Sequence, residues 1–267
     1  MHKQLLLRIG RISFIHNDPA FYYLEKGRLN DVLIKSATPR ELLELLLREE
    51  LDFAPISSIA LHEHRDKLTP VPALAVHSEG PARSALLIAR KDQPEVLGDG
   101  EKIAITNYTE TSAGMLRVLL RKKNINADFI QSKFTSAKQL LQEAPYALVI
   151  GNEALATFDD YGQKIFDLGE EWGSITQQPA VFALSAIRFG LLEHSETVDR
   201  IVRLVRESLE FGYANLGQII KNTAEWSRMS PDLLAEYFVS LRLDYTERAA
   251  KGYEYLVNML DSNSHNL

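Results

Sequence analysis

The sequence predicts a two-lobed α/β protein, and two observations support this fold class. Apolar, β-branched runs alternate with helical patterns, which is typical of a largely parallel sheet covered by helices. The two longest strand candidates, residues 84–89 and 181–187, bracket a middle segment that has a strand, helix, strand pattern of its own. We therefore expect lobe 2 (residues 89–180) to be inserted into lobe 1 (residues 1–88 and 181–267), with those two strands as the hinge.

Seven runs have the composition of strands. They are residues 5–9, 32–35, 53–56, 84–89, 102–106, 147–150 and 181–187. One helix is expected after Thr38, which can cap it, with Pro39 in the first turn. Its buried face is expected to consist of Leu42, Leu43, Leu45, Leu46 and Leu47. A second begins near Glu110, and the chain after Arg188 is almost wholly helical in pattern.

Composition excludes several classes of protein. The 267 residues are 45% hydrophobic and include no cysteine, so the chain is globular and cannot use disulfides, thiolates or cysteine-bound metals. The net charge of −6 argues against a nucleic-acid surface. The N-terminus lacks the pattern of a signal peptide, and no run approaches the roughly 20 apolar residues of a membrane span. We expect a cytoplasmic protein with neither a nucleic-acid nor a membrane partner.

Ligands of open α/β sheets bind beyond the carboxyl ends of strands. The first strand is followed by His16, Asn17 and Asp18, just before Pro19, which can open a helix. These residues place an imidazole, an amide and a carboxylate close together. One interpretation is a functional site, and the other is that Asn17 or Asp18 only caps the helix.

Two pairs of hydroxyl residues occur at the start of predicted helices. Ser57 and Ser58 follow the third strand, and Thr111 and Ser112 repeat the arrangement in the middle segment, where Gly114 can let the backbone approach a ligand. Capping alone would explain each pair. Two such clusters, one per lobe, would also suit a cleft that closes on a small anion with two carboxylates.

The turn at residues 151–153 is a further candidate. Asn152, after Gly151, could point into the cleft, whereas Glu153 is better interpreted as a first-turn carboxylate favoured by the helix dipole. His62 and His64 are spaced so that they do not share a helical face, and a metal site there is not expected.

With these residues in view, the chain resembles the chorismate dehydratase family of the futalosine route to menaquinone, which has a two-lobed periplasmic-binding-protein-like (type II) fold. The similar segments are residues 10–14 with Pro19, 51–58, 80–84, 111–116, 151–155, 167–172, 179–184 and 237–238 with Gly252. Their order and spacing extend along nearly the whole chain.

The resemblance implies a hydro-lyase that removes water from chorismate to give 3-[(1-carboxyvinyl)oxy]benzoate. This reaction needs an acceptor for a ring proton, a donor to the leaving oxygen and groups that hold two carboxylates in register. The resemblance also implies that the partner is a small dicarboxylate substrate and that the protein uses no metal or organic cofactor. The resemblance also implies catalytic roles for the first turn and for Ser84, which orients the substrate.

Two positions depart from the family pattern. The family usually carries Asn three residues before the proline, where this chain has His16 followed by Asn17. Either His16 replaces that residue, as a stronger proton acceptor, or a small shift brings Asn17 into its place. The usual Gly-Asp turn of the second lobe is Gly151-Asn152 here, which removes a negative charge.

Two other functions remain open. The sister family, 1,4-dihydroxy-6-naphthoate synthase, has a Pro-Asn-Asp first turn that Asn17 and Asp18 partly match, but its catalytic histidine lies in an Ile-His-Glu turn and this chain has Asn152 there. A non-catalytic protein that binds a small anion would share the fold.

Overall fold

A computed structural model of the chain describes residues 6–27, 29–156 and 161–264. The strands are β1 (Leu7–Ile12), β2 (Val32–Ala37), β3 (Phe53–Ser57), β4 (Leu68–Ser78), β5 (Ala85–Arg90), β6 (Glu101–Thr106), β7 (Ala127–Ser132), β8 (Tyr146–Ile150), β9 (Gly162–Asp167), β10 (Ala180–Arg188) and β11 (Arg242–Asp244). The α-helices are α1 (Asp18–Lys26), α2 (Pro39–Leu47), α3 (Ser58–Glu63), α4 (Thr111–Lys122), α5 (Ala137–Glu143), α6 (Asn152–Leu155), α7 (Leu168–Thr176), α8 (Ser195–Ala214), α9 (Leu216–Ser227), α10 (Pro231–Ser240) and α11 (Glu247–Ser264). Two 3₁₀ turns cover Ile15–Asn17 and Phe189–Glu193.

All seven predicted strands are present, although Leu5, the first residue of the first prediction, lies outside the described residues. Four strands were missed: β4, β7, β9 and β11. The predicted helix after Thr38 is α2. Its Thr38 hydroxyl and the Glu41 carboxylate form a reciprocal capping box, and Leu42 and Leu46 lie on its buried face.

The chain divides into two compact units, the first formed by Met1–Val76 with Phe182–Glu247 and the second by His77–Val181 with Arg248–Leu267. This division differs from the predicted lobes at residues 77–88 and 248–267. The first difference arises because β5 pairs with β8 and β9, in the sheet of the second unit. The second difference, at residues 248–267, is consistent with a contact within the second unit, where the ring of Trp172 in α7 meets the ring of Tyr255 in α11 edge-on. The unit boundaries fall within β4, within β10 and in the first turn of α11, so the first boundary lies in a missed strand and not in residues 84–89.

The first unit contains a six-stranded sheet in the order β11-β4-β10-β3-β1-β2. Strand β1 is parallel to β2 and β3, whereas β10 is antiparallel to β3, so the expectation of a largely parallel sheet is wrong in this detail. The carboxyl ends of β1 and β3 lie at one edge of the sheet. Helix α1 starts beyond that edge and packs closely on α8, where a Cβ at Gly212 would lie 1.9 Å from the Pro19 carbonyl oxygen.

The second unit contains a five-stranded sheet in the order β7-β6-β8-β5-β9. Strand β6 is parallel to β7 and β8, and β5 runs antiparallel to β8 with Ala85 opposite Ile150. The carboxyl ends of β6 and β8 therefore share an edge with the amino end of β5. None of the helices in the described ranges combines the length and the apolar character needed to cross a membrane.

The loop before β5 is held by one buried carboxylate. Asp167, 2% exposed at the start of α7, accepts backbone hydrogen bonds from Ala82 (2.8 Å), Arg83 (2.6 Å), Gly169 (2.9 Å) and Glu170 (3.3 Å). A single carboxylate thus caps α7 and fixes the loop that leads to β5.

We predict that Asp167→Asn lowers the free energy of unfolding by about 2 to 4 kcal/mol, because an amide offers one acceptor oxygen and turns an NH₂ group towards buried donors. Urea unfolding measures this change. The control is Asp128→Asn, the same replacement at an exposed site on β7. Equal stability of the two variants would contradict the assigned role of Asp167.

Candidate functional site

The first set of predicted site residues lies at the carboxyl edge of the sheet in the first unit. Strand β1 leads into the 3₁₀ turn Ile15–Asn17, and β3 ends at Ser57, directly before α3. Because β1 and β3 are parallel, with Ile9 opposite Phe53, these two ends lie side by side. We call the group His16, Asn17, Ser57 and Ser58 the first-unit edge.

Within the first-unit edge, the side chains of His16 and Asn17 are buried and have no hydrogen-bond partner among the described residues. Their exposed fractions are 6% and 0%, and neither the ring nitrogens of His16 nor the amide atoms of Asn17 have a partner in the part of the chain that the structure describes. Nearly all buried polar groups in folded proteins are paired, so two adjacent unpaired side chains point to a ligand. Asn17 occupies the N-cap of α1 but makes no side-chain cap, so the simple capping interpretation is wrong for it.

The imidazole of His16 is electrically neutral at physiological pH. Burial lowers its pKa from 6.5 to about 3, and the positive charge of Arg11 acts in the same direction. In the free protein His16 is therefore a weaker proton acceptor than an exposed histidine. An anionic ligand beside the ring would oppose both effects, because it stabilises the imidazolium ion.

The serines of this edge have a visible structural role. Ser57 Oγ accepts a hydrogen bond from the backbone N–H of Ala60 at 3.3 Å, so Ser57 caps α3 as its sequence pattern predicts. Ser58 is completely buried in the first turn of that helix.

The second set of residues lies at the matching edge of the sheet in the second unit. Gly151 follows β8 and Ser84 precedes β5, and the Gly151 N–H donates to the Ser84 carbonyl at 2.8 Å. Gly151 has φ 63° and ψ −140°, a conformation that residues with a Cβ rarely adopt. Asn152 follows as the first residue of α6. The turn thus brings Ser84, Gly151 and Asn152 together at one edge of the sheet.

Helix α4 begins at this same edge, after β6. Thr111 and Ser112 lie in its first turn with exposed fractions of 4% and 7%. We call Ser84, Thr111, Ser112, Gly151 and Asn152 the second-unit edge. Sequence reasoning missed Thr106, at the end of β6, and Thr109, in the loop before α4, whose hydroxyls lie 2.6 Å apart. In the sequence, the only indication of this pair was that Thr106 ends a predicted strand.

Glu153 has the structural role that was preferred for it. It lies in the first turn of α6, and its Oε1 accepts the Ala137 N–H at 2.6 Å, at the start of α5. His64 Nδ1 lies 3.0 Å from the carbonyl of Ala60 within the same helical turn. Across residues 6–27, 29–156 and 161–264, no three His, Asp or Glu side chains are grouped as metal ligands would be.

Comparison with known proteins connects these edges to a family. Residues 7–262 match the family described as menaquinone biosynthesis. The chain is also 24% identical over 255 residues to chorismate dehydratase of Thermus thermophilus, which covers 90% of this chain and 89% of that protein.

Solved structures show the same fold. Protein AF1704 from Archaeoglobus fulgidus aligns with a TM-score of 0.81 at 19% identity and covers 99% of each chain. The periplasmic aliphatic sulphonate-binding protein SsuA of Escherichia coli aligns with a TM-score of 0.69 at 12% identity, over 97% of this chain and 87% of its own. The predicted periplasmic-binding-protein-like fold is confirmed. Because the family match spans almost the whole sequence, this chain belongs to the menaquinone biosynthesis family.

Proposed function

We propose that this protein is a hydro-lyase that dehydrates chorismate to 3-[(1-carboxyvinyl)oxy]benzoate. Membership of the menaquinone biosynthesis family and likeness to a chorismate dehydratase along 90% of the chain support the choice of reaction. The observation that carries it is the buried pair His16 and Asn17, whose polar atoms have no partner within the described residues. These groups suit a substrate that has an acidic ring proton and a departing hydroxyl.

In the proposed reaction, the ring carbon that bears the enol ether loses its proton and the adjacent carbon loses its hydroxyl as water. The C–H electron pair forms the new ring double bond, and the ring becomes aromatic. We assign acceptance of the ring proton to the neutral imidazole of His16 and hydrogen-bond donation towards the leaving oxygen to the amide of Asn17. The imidazolium then gives this proton to the departing hydroxyl, so that water leaves and His16 is neutral again. Aromatisation favours the forward reaction, so a weak base suffices.

The two substrate carboxylates also have a catalytic effect in this scheme. The low pKa of His16 arises mainly from burial, and a carboxylate close to the ring stabilises the imidazolium ion as it forms. Substrate binding therefore makes His16 a better base than it is in the free protein. For the first-unit edge we assign carboxylate binding to the hydroxyls of Ser57 and Ser58, and for the second-unit edge we keep the roles that the resemblance implies, with Ser84 orienting the substrate.

A second candidate function is a non-catalytic protein that binds a small anion. The pKa of about 3 for His16 favours it, because such an imidazole is a poor base until it is stabilised. The sister activity of 1,4-dihydroxy-6-naphthoate synthase is less well supported, because Gly151, Asn152 and Glu153 occupy the turn where that family has its histidine.

The direct test mixes purified protein with chorismate. We expect the absorbance of the ring diene to be lost while the aromatic enol ether forms, which proton NMR detects. Heat-denatured protein should produce neither change. Tight binding of chorismate without turnover would reject the enzyme and favour the binding protein.

Single replacements separate the roles in the first turn. We predict that His16→Gln lowers kcat by about 100-fold or more, the usual size of a general-base contribution, and that Asn17→Ala lowers it by about tenfold. The control is His194→Gln, which changes an exposed histidine before α8. Wild-type activity in both first-turn variants would refute this site assignment.

The buried imidazole also predicts a pH-dependent stability. The unfolded chain protonates His16 near pH 6.5, while the folded protein does so only near pH 3, so acid favours unfolding throughout that interval. Between pH 7 and pH 5 the contribution lost is about 2 kcal/mol. We therefore predict that His16→Gln loses less stability than wild type between pH 7 and pH 5, as measured by urea unfolding at the two pH values. Equal losses in the two proteins would show that His16 is not buried in the neutral form.

A further inference from the structure

A network of side chains adjoins the proposed catalytic turn from the side of the C-terminal helices. Asp18, the residue after Asn17, accepts a hydrogen bond from Thr223 Oγ1 of α9 at 2.7 Å and forms an ion pair with Arg11 of β1. The side chains of Arg11 and Asp18 are 15% and 12% exposed, and Thr223 is 1% exposed. Strand β1, helix α1 and the distant helix α9 therefore meet at one carboxylate beside the turn.

Arg11 extends this network along α1. Its guanidinium also pairs with Glu25, two turns further along the helix, and lies over the ring of Phe21 with 5.9 Å to the ring centroid. Arg11 thus contacts the beginning, the middle and the end of α1. The orientation of that helix relative to β1 is fixed by these contacts, and the turn 15–17 connects the two elements.

The turn depends on this support because the side chains of His16 and Asn17 do not anchor it. His16 and Asn17 have no side-chain hydrogen bonds within the described ranges. The backbone is held on one side by Ser13 N–H, which donates to the Ala37 carbonyl at 2.9 Å. On the other side the first side-chain anchor is Asp18. A shift of Asp18 would therefore move the imidazole and the amide directly.

We propose that Thr223 and Asp18 are positioning residues, which act with Arg11 to hold His16 and Asn17 in the geometry needed for turnover. This inference rests on the proposed function for its catalytic consequence, although the link from α9 to the turn exists without it. Thr223 acts through Asp18 and is not assigned any contact with substrate.

The test compares three replacements on one face of α9. Thr223→Val removes the hydroxyl at nearly constant volume, Thr223→Ser retains it, and Ile219→Val removes one methylene from a buried residue one turn away. We expect Thr223→Val to lower kcat for chorismate by about tenfold with KM within about twofold, because small displacements of reacting groups are costly. Thr223→Ser and Ile219→Val should keep kcat within about twofold of wild type. Asp18→Asn, which weakens the same contacts, should behave like Thr223→Val.

A second readout does not require turnover. The imidazole NMR signals of His16 in the free protein, assigned by their loss in His16→Gln, should shift in Thr223→Val and Asp18→Asn and stay in place in Thr223→Ser and Ile219→Val. If wild type fails to convert chorismate, the proposed function fails while these signals still test the link. Unchanged His16 signals in Thr223→Val, or an equal loss of kcat in Ile219→Val, would overturn the positioning role.

Discussion

The burial of the His16 imidazole and the Asn17 amide, which have no hydrogen-bond partner in the described part of the chain, is the constraint on which the first unit depends. Each such group costs on the order of 1–3 kcal/mol when it is removed from water unpaired. The surrounding fold must offset this cost, and it does so with apolar strands below the turn and with the charged network around Asp18 beside it. A ligand that hydrogen-bonds to His16 and Asn17 would recover much of that free energy, which is a physical reason for binding at this position.

The sheet topology explains why chemistry can be concentrated in so few residues. In the first unit, parallel β1 and β3 end side by side, so a turn at residues 15–17 lies next to the start of α3. In the second unit, β6 and β8 end where β5 begins, which brings Ser84 and Gly151 into contact through a backbone hydrogen bond. In both sheets, polar residues follow the carboxyl ends of strands, which is where ligands bind in open α/β sheets.

Much of this could be predicted from sequence because the signals were local. The seven predicted strands are strongly apolar, and the cap and proline of α2 are explicit at Thr38 and Pro39. The missed strands lack that signal: β4 contains Pro70 and Pro72, β7 is only partly buried, and β11 has three residues. The contacts of Thr223 with Asp18 could not be predicted, since 205 positions separate them in the chain. The low pKa of His16 could not be predicted either, because it arises mainly from tertiary burial, with a smaller contribution from the charge of Arg11.

The proposed role of the buried His16 is to accept a ring proton from chorismate. A single-turnover experiment with protein in excess over chorismate tests it most directly, because even slow chemistry is visible when every substrate molecule is bound. If His16 is the base, wild type forms the aromatic product, and chorismate is recovered largely unchanged from His16→Gln over the same period. Equal product formation by the two proteins, or unchanged chorismate in wild type, would contradict it.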